Sequence, residues 1–60
     1  MLKLSEFKKL TKPKMVVSVV ELMVFQGWDI GQFIYGFKAY TKVELIKKYQ
    51  FHIDYELKQR

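Results

Sequence analysis

Along the last stretch of the chain Phe51, Ile53, Tyr55 and Leu57 alternate with His52, Asp54, Glu56 and Lys58. A period of two puts the two sets on opposite faces of a strand, so 51–58 is expected to be a strand, dry on one side and wet on the other. A lone strand cannot bury such a row and needs partners. Five valines and Phe25, strand formers all, lie in the run from Met15 to Trp28 and predict strands over 14–20 and 22–28 that reverse at Glu21. A helix over 13–26 is the alternative, because Ser18 and Glu21 stand three apart, Thr11 can cap, Pro13 suits a first turn and Gly27 a stop. Phe37 to Leu45 alternate as well and place a strand over 42–47, against a competing capping box, Thr41-Lys42-Val43-Glu44, that would open a helix as far as Tyr49.

The other segments read as helical. Ser5 can cap a short helix near 4–10 whose face holds Leu4, Phe7 and Leu10, and Thr11-Lys12-Pro13 stops it. Asp29 precedes Ile30, Phe33, Ile34 and Phe37 at helical spacing, but Gly31 and Gly36 weaken that turn into a helical loop. The expected fold is therefore α+β, a short N-terminal helix with a small antiparallel sheet of about four strands. The alternative is a three-helix, helix-turn-helix domain (13–26, 30–37, 41–49) carrying the C-terminal strand.

With 60 residues there is room for a single domain, small enough that one core is marginal on its own. The sequence has no cysteine and one histidine, so neither disulfides nor a zinc site is expected to support it. A ring-rich core and self-association, most simply a homodimer, are expected instead. Eleven basic residues against six acidic ones leave a net charge of +5, concentrated in Lys8, Lys9, Lys12, Lys14, Lys38, Lys42, Lys47 and Lys48. Such an excess suits a polyanion, nucleic acid first, through counterion release at phosphates, although lysines also keep small apolar proteins soluble. Arg60 is the only arginine, which leaves little for bidentate reading of bases. No apolar run is long enough for a bilayer and the N-terminus does not read as a signal peptide, so a cytoplasmic protein without membrane attachment is expected.

Three groups carry candidate chemistry. Lys38, Lys42, Lys47, Lys48 and Tyr49 form the candidate nucleic-acid site, lysines meeting phosphates and tyrosines stacking unpaired bases. Met23, Phe25 and Trp28 form a candidate protein interface, for a second copy or for a host protein that this chain would inhibit, unless they fill the core. His52 and Asp54, two apart on the strand's polar face, could orient a general base, but no nucleophile accompanies them and a solvated pair explains them. No catalytic residue, metal site, cofactor or small-molecule substrate is expected.

The segments Lys3-Leu4-Ser5-Glu6-Phe7, Phe25-Gln26-Gly27, Asp29-Ile30, Val43-Glu44-Leu45-Ile46 and Ile53-Asp54-Tyr55-Glu56 together resemble short accessory proteins encoded by phages and conjugative elements of Gram-positive bacteria. That resemblance implies an order of short helix, two strands, irregular helical segment and two strands. No catalytic or binding residue is carried over from it; the function expected for the chain is that of a non-enzymatic accessory or regulatory binding protein of a phage or mobile element.

Overall fold

The computed structural model describes residues 2–58 and contains no strand among them. Four α-helices follow one another: α1 (Leu4–Phe7), α2 (Lys12–Phe25), α3 (Gly31–Gly36) and α4 (Lys42–Lys58), with a 3-10 turn, Phe37–Ala39, between the last two. The fold is thus a small helical domain, and the expectation of an α+β sheet is overturned. Segments 14–20 and 22–28 lie in α2 and the turn that ends it, while 42–47 and 51–58 both lie in α4. The C-terminal strand attached to the three-helix alternative is helical too. The element order implied by the phage-like resemblance fails for the same reason.

Capping chemistry explains why α2 is a helix despite its valines. Pro13 occupies its first turn, where a missing N–H costs nothing. At the other end Gly27 adopts a φ of 80°, which admits glycine without strain. Gly27 N–H donates to the Val24 carbonyl at 3.0 Å and Trp28 N–H to the Met23 carbonyl at 2.9 Å. These two bonds are the 5→2 and 6→1 pair of a Schellman motif, which satisfies carbonyls left open by the last turn. Between the ends, Met15, Val16, Val19, Leu22 and Met23 are buried at a helical spacing, so β-branched propensity yields to burial of one face.

The capping box of α4 forms in full: Glu44 N–H donates to Thr41 Oγ1 at 3.2 Å and Thr41 N–H to Glu44 Oε1 at 3.1 Å. From there the helix runs without a Gly or Pro to Lys58. Its buried residues are Leu45, Tyr49 and His52, at i, i+4 and i+7. The row expected on one face of a strand is dispersed around the helix. Ile53 and Tyr55 are half-buried, whereas Phe51 and Leu57 are exposed.

α2 and α4 form the main packing contact and run in the same sense. Near their N-terminal ends the Lys12 ammonium donates to the Lys38 carbonyl at 3.4 Å, and near their C-terminal ends the Gln26 amide donates to the His52 carbonyl at 2.7 Å. α3 and the 3-10 turn make the return crossing, which Phe33 anchors in the core. α1 lies against α4 through Phe7, whose ring stacks on Tyr49 with centroids 4.0 Å apart and planes 2° from parallel.

Candidate nucleic-acid interface

Because α2 and α4 share a direction, their N-terminal ends lie at one end of the molecule. Lys12 and Lys14 stand in the first turn of α2, Lys38 in the 3-10 turn and Lys42 at the start of α4. Lys8 and Lys9 lead into α2 from the turn after α1. Six lysines, more than half of the eleven basic residues, therefore gather at what we call the lysine pole. Pro13, Val16 and Phe37 join Lys12 and Lys38 around a shallow hollow there. Both long helices also point their positive dipole ends this way, which adds to the attraction for anions. Glu44, the acid of the same turn of α4, directs its Oε1 back onto the Thr41 N–H.

The residues expected to contact nucleic acid divide. Lys38 and Lys42 belong to the pole. Lys47 is exposed further along α4. Lys48 is half-buried, its ammonium 5.3 Å from the centroid of the Phe33 ring, a cation–π contact within the fold. Tyr49 cannot stack bases, because it is only 2 % exposed and its hydroxyl donates to the Leu2 carbonyl at 2.9 Å. Burial raises its pKa above the ordinary phenol value, and the carboxylates of Glu21 and Glu6 add to the rise. Arg60 lies outside the described residues. Lys8, Lys9, Lys12 and Lys14 are visible in the sequence as charge but not as part of one site, since only the shared direction of the long helices brings them to Lys38 and Lys42.

The expected protein interface divides as well. Met23 is buried in the core. Phe25 is 72 % exposed and faces a groove between α2 and α4. Trp28, 40 % exposed, lies edge-on to three rings of α4, those of Phe51 at 6.0 Å, His52 at 5.3 Å and Tyr55 at 5.4 Å. A strand over 51–58 gives no reason to join Phe51 and Tyr55 to Trp28. Their helical signal is the spacing 48, 51, 52, 55, which puts them on one flank of α4.

His52 and Asp54 do not pair. Asp54 is exposed and accepts from the Gln50 amide at 2.9 Å. His52 is fully buried, and its Nδ1 lies 2.9 Å from Gln26 Oε1 while Gln26 Nε2 donates to the His52 carbonyl. With the amide nitrogen donating, Oε1 is the acceptor, so Nδ1 carries the proton and Nε2 the lone pair. Nε2 has no hydrogen-bond partner. Burial, reinforced by the charge on Lys48, lowers the His52 pKa below 6.5. This histidine ties the end of α2 to α4 and is closed to solvent.

Among the described residues no helix is long and apolar enough to cross a membrane, and no group of three or more His, Asp or Glu side chains is placed to hold a metal ion. No protein-family model, curated protein or solved structure matches the chain.

Proposed function

We propose that this chain is a small non-enzymatic accessory or regulatory protein that binds nucleic acid through the lysine pole. The observation that carries the reading is the convergence of Lys8, Lys9, Lys12, Lys14, Lys38 and Lys42 at the shared N-terminal end of α2 and α4. Ammonium groups on flexible stems meet phosphates as point charges, so the complex is backbone-led and indifferent to sequence. A cytoplasmic role in a phage or mobile element fits such a binder. The similarity in hydrophobic spacing lends that placement little weight, since the strands it implied are absent, and the proposal stands on the charge arrangement.

The test is fluorescence anisotropy of labelled duplexes of two unrelated sequences at low salt, with a labelled single strand alongside. Saturable binding of similar strength to both duplexes is expected. No binding at low salt would overturn the proposal.

The ring face supports a second reading, a protein-contact surface centred on Trp28, where a second copy or another protein would sit. Trp28 and Phe51 are large, partly exposed and mutually supported, as contact residues of that kind are. If the occupant is a second copy, sedimentation equilibrium will give a mass that rises with concentration in the native chain and stays monomeric in Phe51→Ser. A monomer at every concentration removes the homodimer and leaves only a foreign partner for this face.

A further inference from the structure

Two of the carboxylates of this basic chain share a groove. A groove of about 490 Å³ opens between α2 and α4, with Leu2, Leu22, Phe25 and Tyr49 lining its apolar part and Glu21 and Glu56 its charged part. Two of the six acidic residues of a chain with net charge +5 thus line one groove. The helical stretches that wall it, 18–25 and 49–56, contain no Lys or Arg.

We propose that this groove is a docking site for a cationic amphipathic helix of a partner protein. The volume has room for a few apolar side chains but not for the full width of a helix. The partner would lay one stripe of Leu or Phe side chains over Leu22, Phe25 and Tyr49, as helix-in-groove complexes do. Its flanking Lys or Arg side chains would meet Glu21 and reach Glu56, which also accepts from the Gln26 amide at 3.5 Å. Phe25, largely exposed at the mouth, is the main apolar surface such a stripe would cover. Charge complementarity selects this occupant over an acidic or neutral helix, and the apolar floor selects it over a merely basic peptide.

The experiment uses the full chain and a fluorescein-labelled model peptide of about 14 Leu and Lys residues ordered at helical spacing, near the length at which a helix persists in water. A second peptide of the same composition, scrambled so that it has no apolar face, is the control. Glu21→Lys and Phe25→Ser, both at exposed positions of α2, probe the groove. Saturable one-to-one binding of the amphipathic peptide is expected, with affinity about tenfold lower for the scrambled peptide and for each variant. Lys38→Gln/Lys42→Gln, altered at the other site, should bind the peptide as the native chain does. Binding of both peptides within about twofold, or variants indistinguishable from native, would overturn the proposal. So would displacement of the peptide by unlabelled protein together with self-association that Glu21→Lys abolishes, since the occupant would then be a second copy.

Discussion

At the scale of the residue, Tyr49 and His52 show how polar atoms are accommodated inside this domain. Tyr49 contributes a ring stacked on Phe7 and a hydroxyl bonded to the Leu2 carbonyl. Tyr49→Phe keeps the stack and leaves that carbonyl without the donor, so a loss of about 1 kcal/mol in urea unfolding is expected. An unchanged midpoint would show that the bond contributes nothing. His52 makes stability depend on pH. Its folded pKa is lowered below the ordinary 6.5, mainly by burial, so between the two values the unfolded chain binds more protons than the folded one. The His52 contribution is fully present above 6.5 and is lost as pH falls from there through the folded value. Urea midpoints measured between about pH 7.5 and 5.5 should fall for the native chain and stay nearly flat for His52→Asn, whose amide can still donate to Gln26 Oε1. Equal pH dependence in both proteins would assign the effect to other groups.

At the scale of the element, end signals are more informative than composition. Thr41 with Glu44, Pro13 in a first turn and Gly27 past a last one are all visible in the sequence, and each occupies the position its chemistry suits. The valines of α2 argue for strands, but strand propensity describes fit to a half-buried pleated surface and has little force where a helix buries the same side chains. The larger departure concerns α4. Its inward stripe includes His52, and Glu56 follows on the same side, so two polar residues hide the helical period while Phe51, Ile53, Tyr55 and Leu57 display a period of two. The consequence reaches the site. On a helix the spacing of Leu45 and Tyr49 turns Tyr49 inward, but its stacking against α1 has no signal in the sequence, so it also reads as a base-stacking ring, and a strand over 51–58 gives no reason to join Phe51 and Tyr55 to Trp28. The excess of lysine is legible; its gathering at one end is not, because that follows from two helices running in one direction. The Schellman turn gives a direct check. No atom lies within 4 Å of a Cβ built on Gly27, so the cost of Gly27→Ala is one of backbone strain at positive φ. A loss of about 1 kcal/mol is expected by chemical denaturation with the helical circular dichroism retained, and no loss would argue against the left-handed turn.

At the scale of the whole molecule, the placing of lysines toward one end is the organising feature. Six of the lysines stand toward the shared N-terminal end of the long helices, and Glu21 and Glu56 line the groove between them. A solubilising function alone would be served by lysines placed anywhere on the surface; a binding function needs them together. The most direct measurement is the salt dependence of duplex affinity for the native chain, for Lys38→Gln/Lys42→Gln, and for Lys47→Gln/Lys58→Gln, which removes the same charge elsewhere on α4. If the pole holds the phosphates, log K falls linearly with log salt, and the slope becomes shallower by about 1.8 in the pole variant, roughly 0.9 for each phosphate no longer neutralised, while the second variant keeps the native slope. Equal changes in the two variants, or a native slope that does not respond to Lys38 and Lys42, would contradict it.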